Sequence, residues 1–128
     1  MTDWASLHDH IRERFTLQDD AADYFSTVYT YADERSQLVV VSRAMIDERE
    51  WLEIRSAICD VSEMDPAAAL AQNAQFIVGA IAIDNNRYDM RHSLLLADAS
   101  NEGVELMMAL ISAAADNCEE RETGRDVE

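Results

Sequence analysis

The chain has 128 residues, with 26 acidic side chains against 10 basic ones and a net charge of −16. Such a surface repels phosphate, which excludes nucleic acid and anionic membrane as natural partners and favours basic or amphipathic protein segments. An apolar share of 48%, one proline and three glycines fit a single globular domain over residues 1–120, followed by a charged flexible tail over 121–128.

All ten basic residues are arginine. Cys59 and Cys118 are far apart and form no Cys-x-x-Cys pair, which argues against a disulfide framework or a structural zinc. The start, MTDWASLHDHIRER, lacks a basic region followed by an apolar run, so no signal peptide is expected. No stretch is long and apolar enough to span a membrane, and a cytoplasmic location is the expectation.

Thr2 is positioned to cap a first helix, in which Trp4, Leu7, Ile11 and Phe15 recur at helical spacing. That helix is predicted to end near Thr16–Gln18, with LQDDAAD as a polar connection. Three strands follow: Tyr24–Ala32, Gln37–Ile46 and Trp51–Cys59, joined by the turns DERS and DERE. Short polar connections favour antiparallel hairpins, and the doubly apolar middle strand suits a central place.

Ser62 and Asp65 resemble a shortened capping box before a second helix, with Pro66 tolerated in its first turn. Its apolar stripe is Ala67, Leu70, Ala71, Ala74 and Ile77, small enough for another backbone to approach. Val78–Asp84 reads as a fourth strand, Asn85-Asn86 as a two-residue hairpin turn, and RYDMRHSLL as a fifth strand. A last helix, capped by Asp98 or Ser100, turns Val104, Met107, Met108, Ile111, Ala115 and Cys118 inward and stops near Glu120. The predicted order is α-β-β-β-α-β-β-α. The fold class is α+β, one twisted antiparallel sheet with helices packed on it.

The fifth strand carries the most notable ionisable groups. Tyr88, Met90, His92 and Leu94 share one face, and Arg87, Asp89, Arg91 and Ser93 the other. A metal ligand or general base needs converging partners, and His8 and His10 project about 200° apart on one helix. His92 is therefore read as a packed, hydrogen-bonded neutral imidazole. Cys59 and Cys118 are read as small buried hydrophobes, although a small enzyme using His92 with Cys59 is a further reading if the third and fifth strands adjoin.

Asp84–Asp89 resembles the start of a calcium loop but lacks its glycine and its terminal glutamate. Asp19-Asp20-x-x-Asp23 and Glu119-Glu120 read as solvated faces. Met45, Met64, Met90, Met107 and Met108 read mostly as core. No phosphate loop, nucleophile elbow or dinucleotide fingerprint occurs, so no cofactor and no enzymatic activity are expected. Arg55, Arg91 and Ser93 remain as candidates for an exposed sheet face that holds a peptide. The simpler role for the two arginines is ion pairing with Glu53 and Asp89.

The segment FIVGAIAIDNNRYDMRHSLLLADASNEGVELMMALISAAADNCEE resembles the YbjN family, in which a small phenylalanine-glycine strand, a turn, an Arg-His-Ser strand and a closing helix recur. The matching residues are Phe76 and Gly79, Asn85-Asn86, Arg91-His92-Ser93, and Ala115-Asp116 followed by Glu119. The resemblance spans roughly residues 38–120 and takes in EWLEIRSAIC. It implies the type III secretion chaperone fold. It also implies a small acidic homodimer that binds extended protein segments without ATP, its seam involving Leu70, Ala71, Ala74 and the strand containing Ile81. A sensory or stress-regulatory adaptor that binds one folded partner is the alternative the family also suggests.

Overall fold

The computed structural model describes residues 2–123. Helix α1 (Trp4–Arg14) is capped by Asp3, whose carboxylate accepts from Ser6 N at 2.9 Å. Thr2, expected as the cap, instead donates to Ala99 O at 2.7 Å and ties the start of the chain to the turn before the last helix. The helix ends two to four residues earlier than predicted because the chain must extend into a strand.

That strand is β1 (Leu17–Asp20), in the segment expected to be a polar connection. It pairs with β2 (Tyr24–Thr30) through a register shift between Leu17 and Asp19. Its polarity hid it from hydropathy reading: it is a short edge strand with three exposed residues, so alternation has little to act on.

The remaining strands are β3 (Ser36–Ile46), β4 (Arg49–Asp60), β5 (Ala80–Asp84) and β6 (Arg87–Leu95). They form one antiparallel sheet in the order β1-β2-β3-β4-β6-β5. Helix α2 (Pro66–Asn73) carries the chain from β4 to the far edge, and β6 returns to fill the place between. The β3–β4 and β5–β6 hairpins close through Asp47-Glu48 and Asn85-Asn86. All four residues have positive φ (51–64°), as tight two-residue turns require.

Helix α3 (Asn101–Thr123) begins at Ser100, whose hydroxyl accepts from Gly103 N at 3.0 Å. It takes in Arg121–Thr123, which the sequence had placed in the tail; residues 124–128 lie outside the described part of the chain. Asp65 caps α2 by accepting from Ala68 N, while Ser62 sits in a preceding single turn of 3-10 helix.

The helices lie on one face of the sheet. Trp4 stacks on Phe25 with centroids 5.6 Å apart, and Leu7 and Ile11 are fully buried beside it. From α3, Val104, Met108, Ile111, Ala115 and Cys118 are buried as expected. They meet Val39, Val41, Leu52, Ile54, Ile58, Tyr88 and Met90 from the sheet. Each fully buried aliphatic contributes about 1.5–3 kcal/mol, which makes this face the main source of stability. Met64 joins this core and Met107 is half-buried, but Met45 is 54% exposed near the tip of the β3–β4 hairpin, where no other strand flanks it.

Polar ties bind the helices to the loops. Arg35 reaches the buried Asp116 of α3 at 3.1 Å, and Tyr31 hydrogen-bonds Ser112. Glu119, expected on a solvated face, is fully buried. Spacing along α3 marks its apolar residues, whereas the polar residues on its inner side depend on the distant Tyr31 and Arg35 that meet Ser112 and Asp116.

Candidate protein-binding surfaces

Alternation along β3, β4 and β6 places one set of side chains under the helices and the other on a face left open. One cross-strand row on the open face runs Ser26, Val40, Arg55, Arg91, Ala80. A neighbouring row runs Tyr24, Ser42, Glu53, Ser93. The predicted set Arg55, Arg91 and Ser93 thus lies together on this face, on two adjoining strands.

The two arginines differ in what they do. Arg91 is held by Asp84 at 2.6 Å, Asp89 at 3.1 Å and Glu53 at 3.4 Å. Partial burial works against its charge, and the bonds to Asp84 and Asp89 outweigh this, so its pKa stands above that of free arginine. Asp84 and Asp89, the carboxylates of the calcium-like stretch, are therefore turned onto a guanidinium. Arg55 lies directly opposite Arg91 in the register and forms no ion pair among the described residues. Ser93 is exposed.

Arg55 shares a shallow groove of about 250 Å³ with Leu38, Val40, Ala57 and Arg87. Arg87 was visible in the same alternating set as Arg91 but carried no separate signal, because its importance depends on the groove rather than on its neighbours in sequence.

His92 belongs to the covered face. Its Nδ1 accepts a hydrogen bond from Gly79 N at 3.2 Å, so the imidazole holds the entry to β5. Gly79 has φ +83°, and a Cβ there would stand 2.7 Å from Ile111 Cδ1 and 3.2 Å from Arg91 O. Two of the motif residues thus form one contact: the glycine allows the turn and the histidine satisfies its amide. This matches the reading of His92 as a packed, hydrogen-bonded ring.

β4 and β6 do adjoin, yet His92 and Cys59 do not meet. His92 pairs with Ile54, five residues and roughly 16 Å along the strand from Cys59. Cys59 is fully buried, and burial, then nearby carboxylates led by Glu63, push its pKa to about 11. A thiol in this setting is a poor nucleophile. Cys118 is likewise buried and its pKa raised, chiefly by burial.

Sequence reading missed the role of the first-helix histidines. His8 is buried against Trp4 and Phe25, with Nε2 2.7 Å from Asp20 Oδ1. Arg12 also binds Asp20, and its hydrogen bond holds that carboxyl below the usual range. His10 and Arg14 both reach Glu105 of α3, at 2.5 and 2.7 Å. The two histidines point to different partners, as their spacing requires.

A second surface lies at the β5 edge. The α2 stripe predicted as apolar faces outward: Leu70 is 71% exposed, Ala71 and Ala74 are exposed, and only Ala69 of this helix is buried. Ile77 lies beyond the helix and is fully exposed. Leu70, Ile81 and Ile83 line one depression of about 260 Å³ with Tyr88. Ile81, expected at the seam, is already 8% exposed within the single chain, whereas Ile83 is 57% exposed and takes its place as the available side chain.

Among the described residues no helix is long and apolar enough to cross a membrane, and no group of three metal-ligating side chains converges. No family model and no curated protein matches the sequence. The fold does match solved structures. A chain of the HopA1-SchA chaperone-effector complex superposes with a TM-score of 0.66 over 94% of this chain and 99% of that one, at 15% identity. A chain of the ExsC-ExsE complex gives 0.53 over 77% and 76%, also at 15% identity. At such identity the likeness speaks for architecture, and the fold class is the one expected from the sequence, α+β with helices packed on one antiparallel sheet, to which β1 adds a sixth strand.

Proposed function

We propose that the protein is a non-enzymatic, chaperone-like homodimer that binds extended segments of other proteins. The observation that carries this reading is the uncovered apolar surface at the β5 edge. Leu70 and Ile83, two large aliphatics, stand exposed on one depression beside alanines small enough for close backbone approach. A second copy is the occupant proposed for it, with Leu70, Ala71, Ala74 and Ile83 in the seam and Ile81 beneath.

The open sheet face, with Arg55, Arg91 and Ser93, is proposed as the surface for the guest segment. The net charge of −16 draws basic segments toward the molecule and disfavours polyanions. The coupled use of Gly79 and His92 supports YbjN membership, since the short motifs of that resemblance form one contact. The fold neighbours, one of them a chaperone-effector complex, support protein binding as the activity. A cytoplasmic place suits such a role.

Light scattering at micromolar concentration is expected to report two chains. Ala71→Glu is expected to give one chain with an unchanged circular dichroism spectrum, because burying an unpaired charge costs several kcal/mol. Binding is tested with an unfolded variant of a small reporter domain and its folded parent. A chaperone-like protein takes the first and ignores the second; binding of the folded parent alone would favour an adaptor, and binding of neither would sink both.

A further inference from the structure

Six of the nine arginines at residues 2–123 form ion pairs: Arg12, Arg14, Arg35, Arg43, Arg91 and Arg121. Arg49 sits exposed at the β3–β4 hairpin tip. The other two, Arg55 and Arg87, have no carboxylate within ion-pair distance among the described residues, and both line the same groove on the open face. In a chain with 26 acidic residues, unpaired guanidiniums are the exception.

Their placement is also unfavourable in isolation. Arg55 stands directly across from Arg91, and like charges at paired positions destabilise a sheet. The nearest carboxylates of the groove, Asp84 and Asp89, are both engaged by Arg91. Arg87 Nε is buried without a hydrogen-bond partner. A buried donor left unmet costs about 1–3 kcal/mol, and Arg91 Nε shares that condition.

Beside Arg55 the floor is apolar, with Leu38 and Val40 from β3 and Ala57 from β4, while Asp89, engaged by Arg91, pairs with Ala57 between the two arginines. We infer that this groove receives a carboxylate side chain of an extended guest segment, clamped by Arg55 and Arg87, with aliphatic neighbours of that carboxylate on Leu38 and Val40. This deepens the proposed role of the open face and rests on it. The long-range field still favours basic flanks; the groove selects one acidic residue within them. A free small carboxylate would meet the arginines but leave the apolar floor bare, and the groove is too open to enclose it.

The test uses two fluorescein-labelled peptides, Arg-Thr-Val-Thr-Glu-Thr-Val-Thr-Arg and its twin with glutamine at the centre, titrated with the full chain and followed by anisotropy. The glutamate peptide is expected to bind about tenfold tighter than its twin, the worth of one charge-assisted contact. Arg55→Gln and Arg87→Gln should each collapse that ratio toward one, while Arg49→Gln, off the groove, should keep it. Equal affinities, binding of neither peptide, or a ratio indifferent to both groove substitutions would overturn the inference. Displacement by N-acetylglutamate at an affinity matching the peptide's would overturn the peptide as occupant. Lost discrimination with the unfolded reporter still bound refutes the clamp alone; loss of reporter binding by the unaltered chain refutes the parent reading.

Discussion

Polar side chains beneath the helices and those on the open face of the same sheet are used for different ends. Under the helices they fasten one part of the chain to another. His92 holds Gly79, Tyr88 donates to Met64 O at 2.8 Å, and Tyr31 and Arg35 reach α3. On the open face Arg91 gathers three carboxylates, one each from β5, β4 and its own strand, and Arg55 holds none. Neighbours in sequence therefore differ more than distant residues of one face. A histidine next to an arginine looks like a site when read along the chain; read across the sheet, one is a tie and the other belongs to a surface.

The comparison breaks most visibly with aliphatic truncation. Ile54→Ala on the covered face is expected to cost about 3–4 kcal/mol in urea unfolding. Val40→Ala, one strand away on the open face, should cost less than about 1 kcal/mol because its surroundings are already in contact with water. Similar losses for both would show that something covers the open face in solution.

A smaller difference is expected between His92 and Ser93, adjacent residues on opposite faces. His92→Leu leaves the Gly79 amide without its acceptor and should cost about 1–2 kcal/mol. Ser93→Ala should fall within about 0.5 kcal/mol. Comparable values from chemical denaturation would remove the structural role assigned to the imidazole.

The smallest effect is electrostatic and appears in acid. Burial opposes the Glu105 charge, but the bonds from His10 and Arg14 outweigh it and lower the carboxyl below its ordinary 4.5. A depressed folded pKa gives stability that is complete above the unfolded value and lost as pH falls through the folded one. Glu105→Gln should therefore cost about 1 kcal/mol near neutrality, with the two proteins converging as pH falls from 4.5 through the lowered folded value. A gap that does not narrow at all as pH falls below 4.5 would mean that the α1–α3 contact depends on shape and not on charge.

Much of the architecture could be read from spacing because it depends on local pattern. The inward stripe of α3, the Asn85-Asn86 turn and the alternation of β6 each follow from which residues recur on one side of an element. What escaped depended on contacts between distant segments. Nothing in LQDD marks a strand until Ser26 Oγ accepts from Asp19 N and donates to its carboxylate. Nothing in Glu119 marks burial until α3 is laid on the sheet. The α2 stripe was seen correctly as apolar, but whether it faced inward could not be known without the β5–β6 hairpin, which fills the core place and leaves Leu70 outside. For the candidate site, Arg55 and Arg91 were visible as a pair; that only one of them is neutralised depends on Asp84 arriving from β5.

The two borders of the sheet are unequal. β1 is short, irregular in register and ends in Asp19 and Asp20, so a like border would meet it with facing negative charge. β5 has no charged residue before Asp84. Growth that joined the β5 border of one molecule to the β1 border of the next would build an open filament, and the acidic border disfavours that step. Association through β5 alone brings identical borders together about a two-fold axis and uses both up. Such an assembly stops at two by geometry, without a cap, a third component or a limit on concentration.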